Sequence, residues 1–127
     1  MKKQLSLALV AMLATVTLSA EVKETFYPDG KVKLERNYEN GKLNGVARAY
    51  FPTGKLKTKT NFRNGKVNGT TFGFYENGRL KAEIPMRDGK AHGKQKEYYE
   101  TGELKSVSNC VDDHNVGVKK VTYPEGN

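Results

Sequence analysis

The chain has few of the residue types from which metal sites and covalent frameworks are built. Its 127 residues include one cysteine, two histidines, four prolines and no tryptophan. A single cysteine excludes an intramolecular disulfide and a cysteine-rich zinc site, because each needs at least two thiols. The sequence also lacks a nucleophile elbow, a phosphate-binding loop and a zinc-protease motif. We therefore expect no enzymatic activity, no cofactor and no bound metal.

The first twenty residues differ in character from the rest. Lys2 and Lys3 precede an uncharged stretch at residues 5–18, which is followed by the small pair Ser19 and Ala20. This order is typical of a secretory signal peptide, and the stretch is shorter than the roughly 20 residues that span a bilayer. We expect residues 1–20 to be a cleaved helical signal peptide and residues 21–127 to form a periplasmic or secreted domain. No cysteine lies near the cut, so a lipid anchor is not expected; the alternative is a buried N-terminal helix.

Glycine, in contrast, is abundant and regularly placed. Twelve of the 13 glycines lie in positions that recur every 24 residues, and Asp113 takes the place of a further one. A fixed period of this kind indicates a repeat architecture in which each unit is one supersecondary element. The recurring positions form three series: Gly30, Gly54, Gly78, Gly102 and Gly126; Gly45, Gly69, Gly93 and Gly117; Gly41, Gly65 and Gly89.

Each unit contains two turn signals separated by segments in which apolar and polar residues alternate. The first turn reads FPTG or YENG, and the second reads NGKVNG, where Asn-Gly supplies residues with positive φ. Alternation with period two predicts strands. We expect an all-β fold after the leader, an extended, twisted antiparallel meander of 24-residue hairpin repeats, with four units and a partial fifth. The nine predicted strands are 22–27, 31–38, 46–51, 55–62, 70–75, 79–86, 94–99, 103–110 and 118–123.

Two residues conflict locally with this pattern. Pro85 has no N–H to donate to a ladder, so a bulge or an unpaired position is expected there. Asp113 would occupy a positive-φ position that glycine fills in the earlier units, which costs more energy.

The segments FPTGKLKTKTNFRNGKVNG and YENGRLKAEIPMRDGKAHG resemble the MORN-repeat variant of bacterial proteins, some of which are labelled antitoxin components. The resemblance extends over residues 22–126. It implies a binding or assembly module that has no catalytic motif of its own.

Aromatic residues and lysines follow the same 24-residue period. We expect a bulged three-residue loop at the first turn, in which Phe51 pairs with Lys55. Alternation from that turn puts one aromatic row and one lysine row on a common face. The opposite, packed face would then hold Tyr50, Leu56 and Phe62 with their counterparts Phe74, Leu80, Met86, Tyr98, Leu104 and Cys110. The common face comprises Tyr27, Phe51, Tyr75, Tyr99 and Tyr123 with Lys33, Lys57, Lys81 and Lys105.

This common face suggests a surface for an anionic partner, such as an acidic protein, a phosphate-bearing headgroup or an acidic polysaccharide. The alternative is structural, with rings stacked along the sheet and covered by lysine stems. Nucleic acid is not expected, because the charges are spread one per unit.

The remaining polar residues are better explained as parts of turns than as ligands. His92 and His114 occupy turn positions, and so do Asn68, Gly69 and Thr70, which match a glycosylation motif by chance. The degenerate turn Asp112–Asp113–His114 has no assigned role. Cys110 is expected to be a buried small hydrophobe rather than a reactive thiol.

The leading hypothesis is an exported, non-enzymatic repeat protein that binds another macromolecule as a scaffold, with an unidentified protein as partner. The first alternative is an antitoxin or immunity-type protein that neutralises a toxin. The second is peripheral binding to an anionic membrane. Self-association through an open edge strand is also expected, because Gly126 would begin a further strand that the chain never supplies, which leaves the last predicted strand without a partner on one side.

Overall fold

The computed structural model describes residues 20–121, with the backbone alone for 118–121, and these residues form an antiparallel β-sheet. The nine longer strands follow one another across the sheet in chain order, and the three two-residue strands pair with β2, β5 and β8. No helix long and apolar enough to cross a membrane occurs among the described residues. The strands are β1 (Ala20–Phe26), β2 (Val32–Glu39), β3 (Lys42–Leu43), β4 (Gly45–Tyr50), β5 (Leu56–Arg63), β6 (Lys66–Val67), β7 (Gly69–Phe74), β8 (Leu80–Arg87), β9 (Lys90–Ala91), β10 (Gly93–Tyr98), β11 (Leu104–Val111) and β12 (His114–Val121).

The predicted all-β meander of hairpin repeats is confirmed. The nine predicted strands are present, although the last begins at His114 rather than at residue 118, and β3, β6 and β9 are additional. The predicted signal peptide, apart from Ala20, and the predicted positions of Tyr123 and Gly126 lie outside the described residues.

The first turn of each unit is closed by two backbone hydrogen bonds. The Phe51 N–H donates to the Lys55 carbonyl oxygen at 2.8 Å, and the Gly54 N–H donates to the Phe51 carbonyl oxygen at 2.8 Å. Gly54 has a φ of 96°, which glycine adopts without a Cβ clash. Corresponding bonds close the turns that begin at Tyr27, Tyr75 and Tyr99.

A β-bulge follows this turn and changes which residues share a face. Tyr50 pairs with Leu56, but its neighbour Ala49 pairs with Thr58, so Lys57 is an extra residue in β5. Because Tyr50 and Ala49 point to opposite faces, Leu56 and Thr58 do so too, and Phe62 lies on the Thr58 side. The prediction that Leu56 and Phe62 share one packed face is therefore wrong. The same shift after Gly73 and Glu97 separates Leu80 from Met86 and Leu104 from Cys110.

The second turn of each unit links neighbouring repeats. Asn40 and Gly41 have φ values of 52° and 80°, the pair of positive angles that a tight type I′ hairpin requires. The next such turn contacts the preceding unit, because the Gly65 N–H donates to the Leu43 carbonyl oxygen at 2.8 Å. Asp113 has a φ of 71° and completes the fourth turn in place of glycine, as predicted.

The bulge expected at Pro85 is absent. Thr70 pairs with Pro85 in an uninterrupted part of the β7–β8 register. The Pro85 carbonyl oxygen accepts the His92 N–H at 2.9 Å, so the nitrogen of Pro85 faces the same side of β8, away from β7. The missing N–H therefore costs no bond to β7.

Little of the sheet is buried, because the described residues form one layer. Among them the buried hydrophobic residues are Ala47, Val107 and Cys110, at 8%, 9% and 7% relative exposure. Cys110 is thus a buried thiol, as predicted. With so small a core, stability depends on contacts between adjacent repeats, as in other repeat proteins.

Candidate binding face

One lysine stands over one aromatic ring in each repeat. Each lysine Nζ lies within the 6 Å range of a cation–π contact. The distances from Nζ to the ring centroid are 5.7 Å for Lys33 and Tyr27, 5.7 Å for Lys57 and Phe51, 5.6 Å for Lys81 and Tyr75, and 5.8 Å for Lys105 and Tyr99. We call the side of the sheet that carries these eight residues the ladder face.

The bulge explains why the lysine reaches the ring. Lys57 is the extra residue of β5, between Leu56 on the opposite face and Thr58 on the ladder face. Phe51 begins the turn and is hydrogen-bonded across it to Lys55, two residues before Lys57. A bulge re-aims the side chain of its extra residue, and here the local twist brings the Lys57 amine over the Phe51 ring.

Two of the rings also connect consecutive repeats. The Tyr27 hydroxyl donates to the Tyr50 carbonyl oxygen at 2.7 Å, and the Tyr75 hydroxyl donates to the Tyr98 carbonyl oxygen at 2.7 Å. Phe51, between them in the row, has no hydroxyl group. The rings are therefore structural as well as partly exposed.

The lysines of the ladder face keep their charge available to solvent. Lys33, Lys57, Lys81 and Lys105 are all exposed. The ion pair found among the described residues lies elsewhere, between Arg48 and Glu35 at 2.9 Å; His92 Nδ1 and Asp112 Oδ1 are 3.9 Å apart. Equivalent lysines are two strands apart, about 9–10 Å along the sheet. The row is thus a regular series of single positive charges.

The opposite face has a mixed-charge row instead. Glu35 pairs with Arg48, and Arg48 with Lys59, across β2, β4 and β5. Further along, Glu83 pairs with Lys96 across β8 and β10. Arg48 and Lys96 therefore have a carboxylate beside them, whereas no ladder-face lysine forms an ion pair among the described residues.

A floor of small residues runs beside the ladder, and sequence reasoning did not identify it. Ala49, Thr58, Gly73 and Ala82 follow one another across four strands on the ladder face. The row then continues to Glu97 and Ser106. The sequence does contain a signal for this row. One position recurs every 24 residues and is small and uncharged in the first three repeats before it becomes a glutamate; its residues are Thr25, Ala49, Gly73 and Glu97.

A shallow cleft of about 120 Å³ opens where this row reaches Glu97. Its walls are rings and lysines of the ladder face, and Ala82 lies at its floor. The lining residues are Tyr75, Lys81, Ala82, Glu97, Tyr98 and Lys105.

A family model for the MORN repeat variant matches four consecutive segments of the chain, residues 22–40, 43–64, 67–88 and 91–109. The chain belongs to the MORN repeat variant family. The last three segments begin 24 residues apart, and the four together include all eight residues that define the ladder face. Membership in this family indicates a repeat-based binding or scaffold role.

The MORN variant chain is also similar to a solved structure from Streptococcus pneumoniae, described as accessory secretory protein 1, 2 and 3. The sequence identity is 15%, the TM-score is 0.44, and the match covers 76% of this chain. The chain spans 18% of the length of that solved chain. None of the curated proteins matches this sequence.

The last contact between neighbouring MORN variant repeats differs from the earlier ones at His92 and Asp113, both of which the sequence placed in turns. Asn68 donates from Nδ2 to Asp88 Oδ1 at 3.4 Å, whereas His92, its counterpart, has a buried Nδ1 without a hydrogen-bond partner among the described residues. Asp113 Oδ1 accepts the Ala91 N–H at 2.7 Å, which gives the degenerate turn a structural role. His114 begins β12 and is exposed.

Proposed function

We propose that this MORN variant protein is an exported, non-enzymatic scaffold that binds an anionic macromolecule on the ladder face. The observation that carries the proposal is the row of exposed lysines, one per repeat, with no carboxylate at ion-pair distance among the described residues. A partner with matching negative charges would be attracted and oriented by this row.

A purely structural lysine row is the competing explanation. Cation–π contacts at exposed sites contribute about 0.5–1 kcal/mol each, so the lysines do add stability. However, the opposite face places Glu35 beside Arg48 and Glu83 beside Lys96. No ladder-face lysine forms an ion pair among the described residues, and the counterparts of Glu97 in the earlier repeats, Thr25, Ala49 and Gly73, are uncharged. This favours a partner as the missing source of negative charge.

Capture of partners from an envelope or secreted fraction tests the proposal. The quadruple variant Lys33→Glu, Lys57→Glu, Lys81→Glu and Lys105→Glu should lose the partner that the parent protein retains. A matched control changes four exposed lysines in or near turns, Lys31, Lys42, Lys66 and Lys90, to glutamate. Equal capture by both variants would contradict the proposal, because the net charge is the same and only the face differs.

The alternatives give different results in the same system. An antitoxin should be essential unless a neighbouring toxin gene is removed, so viable single deletants without a toxic neighbour exclude that function. A membrane-bound protein should sediment with anionic vesicles in a salt-sensitive manner. Sedimentation that the quadruple variant loses and the control keeps would replace the macromolecular partner by a lipid surface.

Export is part of the proposal and has its own test. Removal of residues 1–20 would take Lys2 and Lys3 away and lower the net charge from +8 to +6. Intact mass and N-terminal sequencing of the natural protein should show a chain that begins at Glu21. A chain that retains Met1 or begins at Lys2 in the cytosol would refute export.

A further inference from the structure

We infer that the ladder face holds an extended peptide in the polyproline II conformation with an acidic side chain at every third residue. The inference rests on the proposed function and names the class of partner. It follows from the spacing of the lysines, the form of the surface beside them and one exceptional residue on its floor.

The spacing of the charges favours this conformation over others. Equivalent lysines recur every second long strand, which corresponds to about 9.4–9.8 Å at the usual strand separation. Polyproline II has three residues per turn and rises about 3.1 Å per residue, so every third side chain points the same way at intervals of about 9.3 Å. Over the three intervals from Lys33 to Lys105, the two periods differ in total by about 0.3–1.5 Å, which lysine side chains can absorb.

Other peptide conformations fit less well. A β-strand places side chains on one side at intervals of about 6.6 or 13 Å, neither of which matches the lysine row. An α-helix returns to the same face every seven residues, about 10.5 Å, and has a diameter of about 10–12 Å. The narrow floor of the ladder face suits a thinner ligand.

The surface beside the lysines has the form that such peptides use. Proline-rich segments in this conformation dock in grooves lined by aromatic side chains, and their preformed shape reduces the entropy lost on binding. Here the partly exposed rings of Tyr27, Phe51 and Tyr75 form one wall. The residues Ala49, Thr58, Gly73 and Ala82 leave room for a backbone beside that wall.

At Glu97 the row of small, uncharged residues ends in a negative charge, which disfavours a bound anion. Glu97 pairs with Ala82 and Ser106, and it lines the cleft that also contains Lys81 and Lys105. A carboxylate at this position repels a second carboxylate nearby. An acidic peptide should therefore bind best over the first three lysines, and removal of the Glu97 charge should extend its footprint to Lys105.

A series of synthetic peptides tests the spacing. The probe (Pro-Pro-Glu)5 is compared with (Pro-Glu)5 and (Pro-Pro-Pro-Glu)5, which carry the same number of glutamates at intervals of two and four residues. The flexible peptide (Gly-Ser-Glu)5 keeps the three-residue spacing without the preformed conformation. By calorimetric titration we expect (Pro-Pro-Glu)5 to bind at least about fivefold more tightly than each of the others. Affinity that depends only on the number of glutamates would overturn the inference.

Paired variants locate the binding site on the ladder face. Lys57→Gln with Lys81→Gln should weaken the binding of (Pro-Pro-Glu)5 by about fivefold or more. The control Lys66→Gln with Lys90→Gln removes two exposed turn lysines and should leave the affinity unchanged. Equal losses in both pairs would reduce the interaction to general charge attraction and overturn the inference.

Glu97→Gln provides the complementary gain. This change keeps the size of the side chain and removes its charge, so we expect (Pro-Pro-Glu)5 to bind about two- to fivefold more tightly. Circular dichroism confirms that the sheet is unchanged. An unaltered or weaker affinity in a folded Glu97→Gln protein would contradict the assignment of the floor as the peptide site.

Failure of the inference is distinguishable from failure of the proposed function. If an acidic polysaccharide binds in a manner that depends on Lys57 and Lys81 while the peptides do not, the partner class is wrong and the ladder face remains a binding site. If the natural partner is captured equally by the parent and by the quadruple lysine variant, the proposed function itself is wrong.

Discussion

Gly93 lies at the contact between the third and fourth repeats, where β10 passes the ring of Pro85. Its φ is +125°, and a Cβ atom there would approach the Pro85 Cγ to 3.0 Å. At Gly69, the equivalent position one repeat earlier, φ is +92° and the nearest atoms, on Asn61, lie 3.7 Å away. The two glycines therefore share a positive φ that would strain a residue with a Cβ atom, and they differ in the space around them.

We expect Gly93→Ala to lower the free energy of unfolding more than Gly69→Ala does. Both variants incur the backbone strain, about 1–3 kcal/mol, and only Gly93→Ala adds a clash with a rigid ring. Gly73→Ala is the control, because Gly73 lies outside the positive-φ group and a Cβ there meets nothing within 4 Å. Urea unfolding measures the free energy of unfolding of all three variants. An equal decrease in the Gly69 and Gly93 variants would show that the Pro85 ring moves aside without an energetic cost.

Phe51 differs from its counterparts Tyr27 and Tyr75 by one hydroxyl group. Those hydroxyls donate to backbone carbonyl oxygens of the next repeat at 2.7 Å. Phe51→Tyr should gain the equivalent bond to the Phe74 carbonyl oxygen and raise the free energy of unfolding by about 0.5–1.5 kcal/mol. Tyr75→Phe should lose a similar amount. A thermal shift of the same sign in both variants would be inconsistent with this hydrogen bond.

At the scale of the element, the contact of the Asp112–Asp113 turn with His92 lacks the side-chain hydrogen bond found between Asn68 and Asp88 one repeat earlier. His92 lies 3.9 Å from Asp112, with a buried Nδ1 that has no hydrogen-bond partner among the described residues. The two preceding junctions have asparagine here, and Asn68 donates to Asp88, the counterpart of Asp112.

His92→Asn should therefore restore the bond and stabilise the β11–β12 hairpin by about 1 kcal/mol. The reverse change, Asn68→His, should weaken the preceding junction. Amide hydrogen exchange resolves the two hairpins separately, and slower exchange in β12 is the expected result for His92→Asn. Faster exchange there would mean that the histidine ring contributes packing that asparagine cannot replace.

The strands and turns were predictable because their signals are local. Gly at fixed intervals marks both turns, with Pro two residues before it in some of the first turns and Asn or Asp directly before it in the second, and alternation predicts the strands between them. The sequence also placed Phe51 and Lys57 on a common face, with Lys55 opposite Phe51. What failed was the count of faces along β5, since a second irregularity beyond the predicted bulged turn, the extra residue Lys57, shifts the alternation and has no strict sequence signature.

The floor of the candidate site could not be predicted, because it depends on how strands of neighbouring repeats pair rather than on the pairing within one repeat. Ala49, Gly73 and Glu97 lie on one row only because β5 pairs with β7 and β8 with β10 at specific registers. Pro85 shows the same limitation. Whether its missing N–H breaks a ladder depends on which neighbouring strand that nitrogen faces, and only the structure gives that side.

At the scale of the whole molecule, the repeats behave as interchangeable layers. Deletion of residues 45–68 removes β4, β5 and β6 and joins Asn44 to Gly69, the same dipeptide found at both ends of the removed segment. We expect this variant to fold into a sheet that is one repeat shorter, because each unit contacts only its neighbours. The urea m-value should fall with the reduced buried surface.

A deletion of half that length is the control. Removal of residues 45–56 takes out β4 and its turn and puts every later glycine half a repeat out of phase. This variant should not give a cooperative transition. Cooperative unfolding of the shorter deletion, or its loss in the longer one, would contradict a one-dimensional arrangement of repeats.

The position of β1 and β12 at the two ends of the strand order has a mechanical consequence. A force that pulls these two strands apart acts along the interstrand hydrogen bonds, so the bonds break in succession rather than all at once. Each repeat that yields releases 24 residues, about 80 Å of extended chain. Under tension the protein would lengthen stepwise, as an extensible tether rather than a stiff strut.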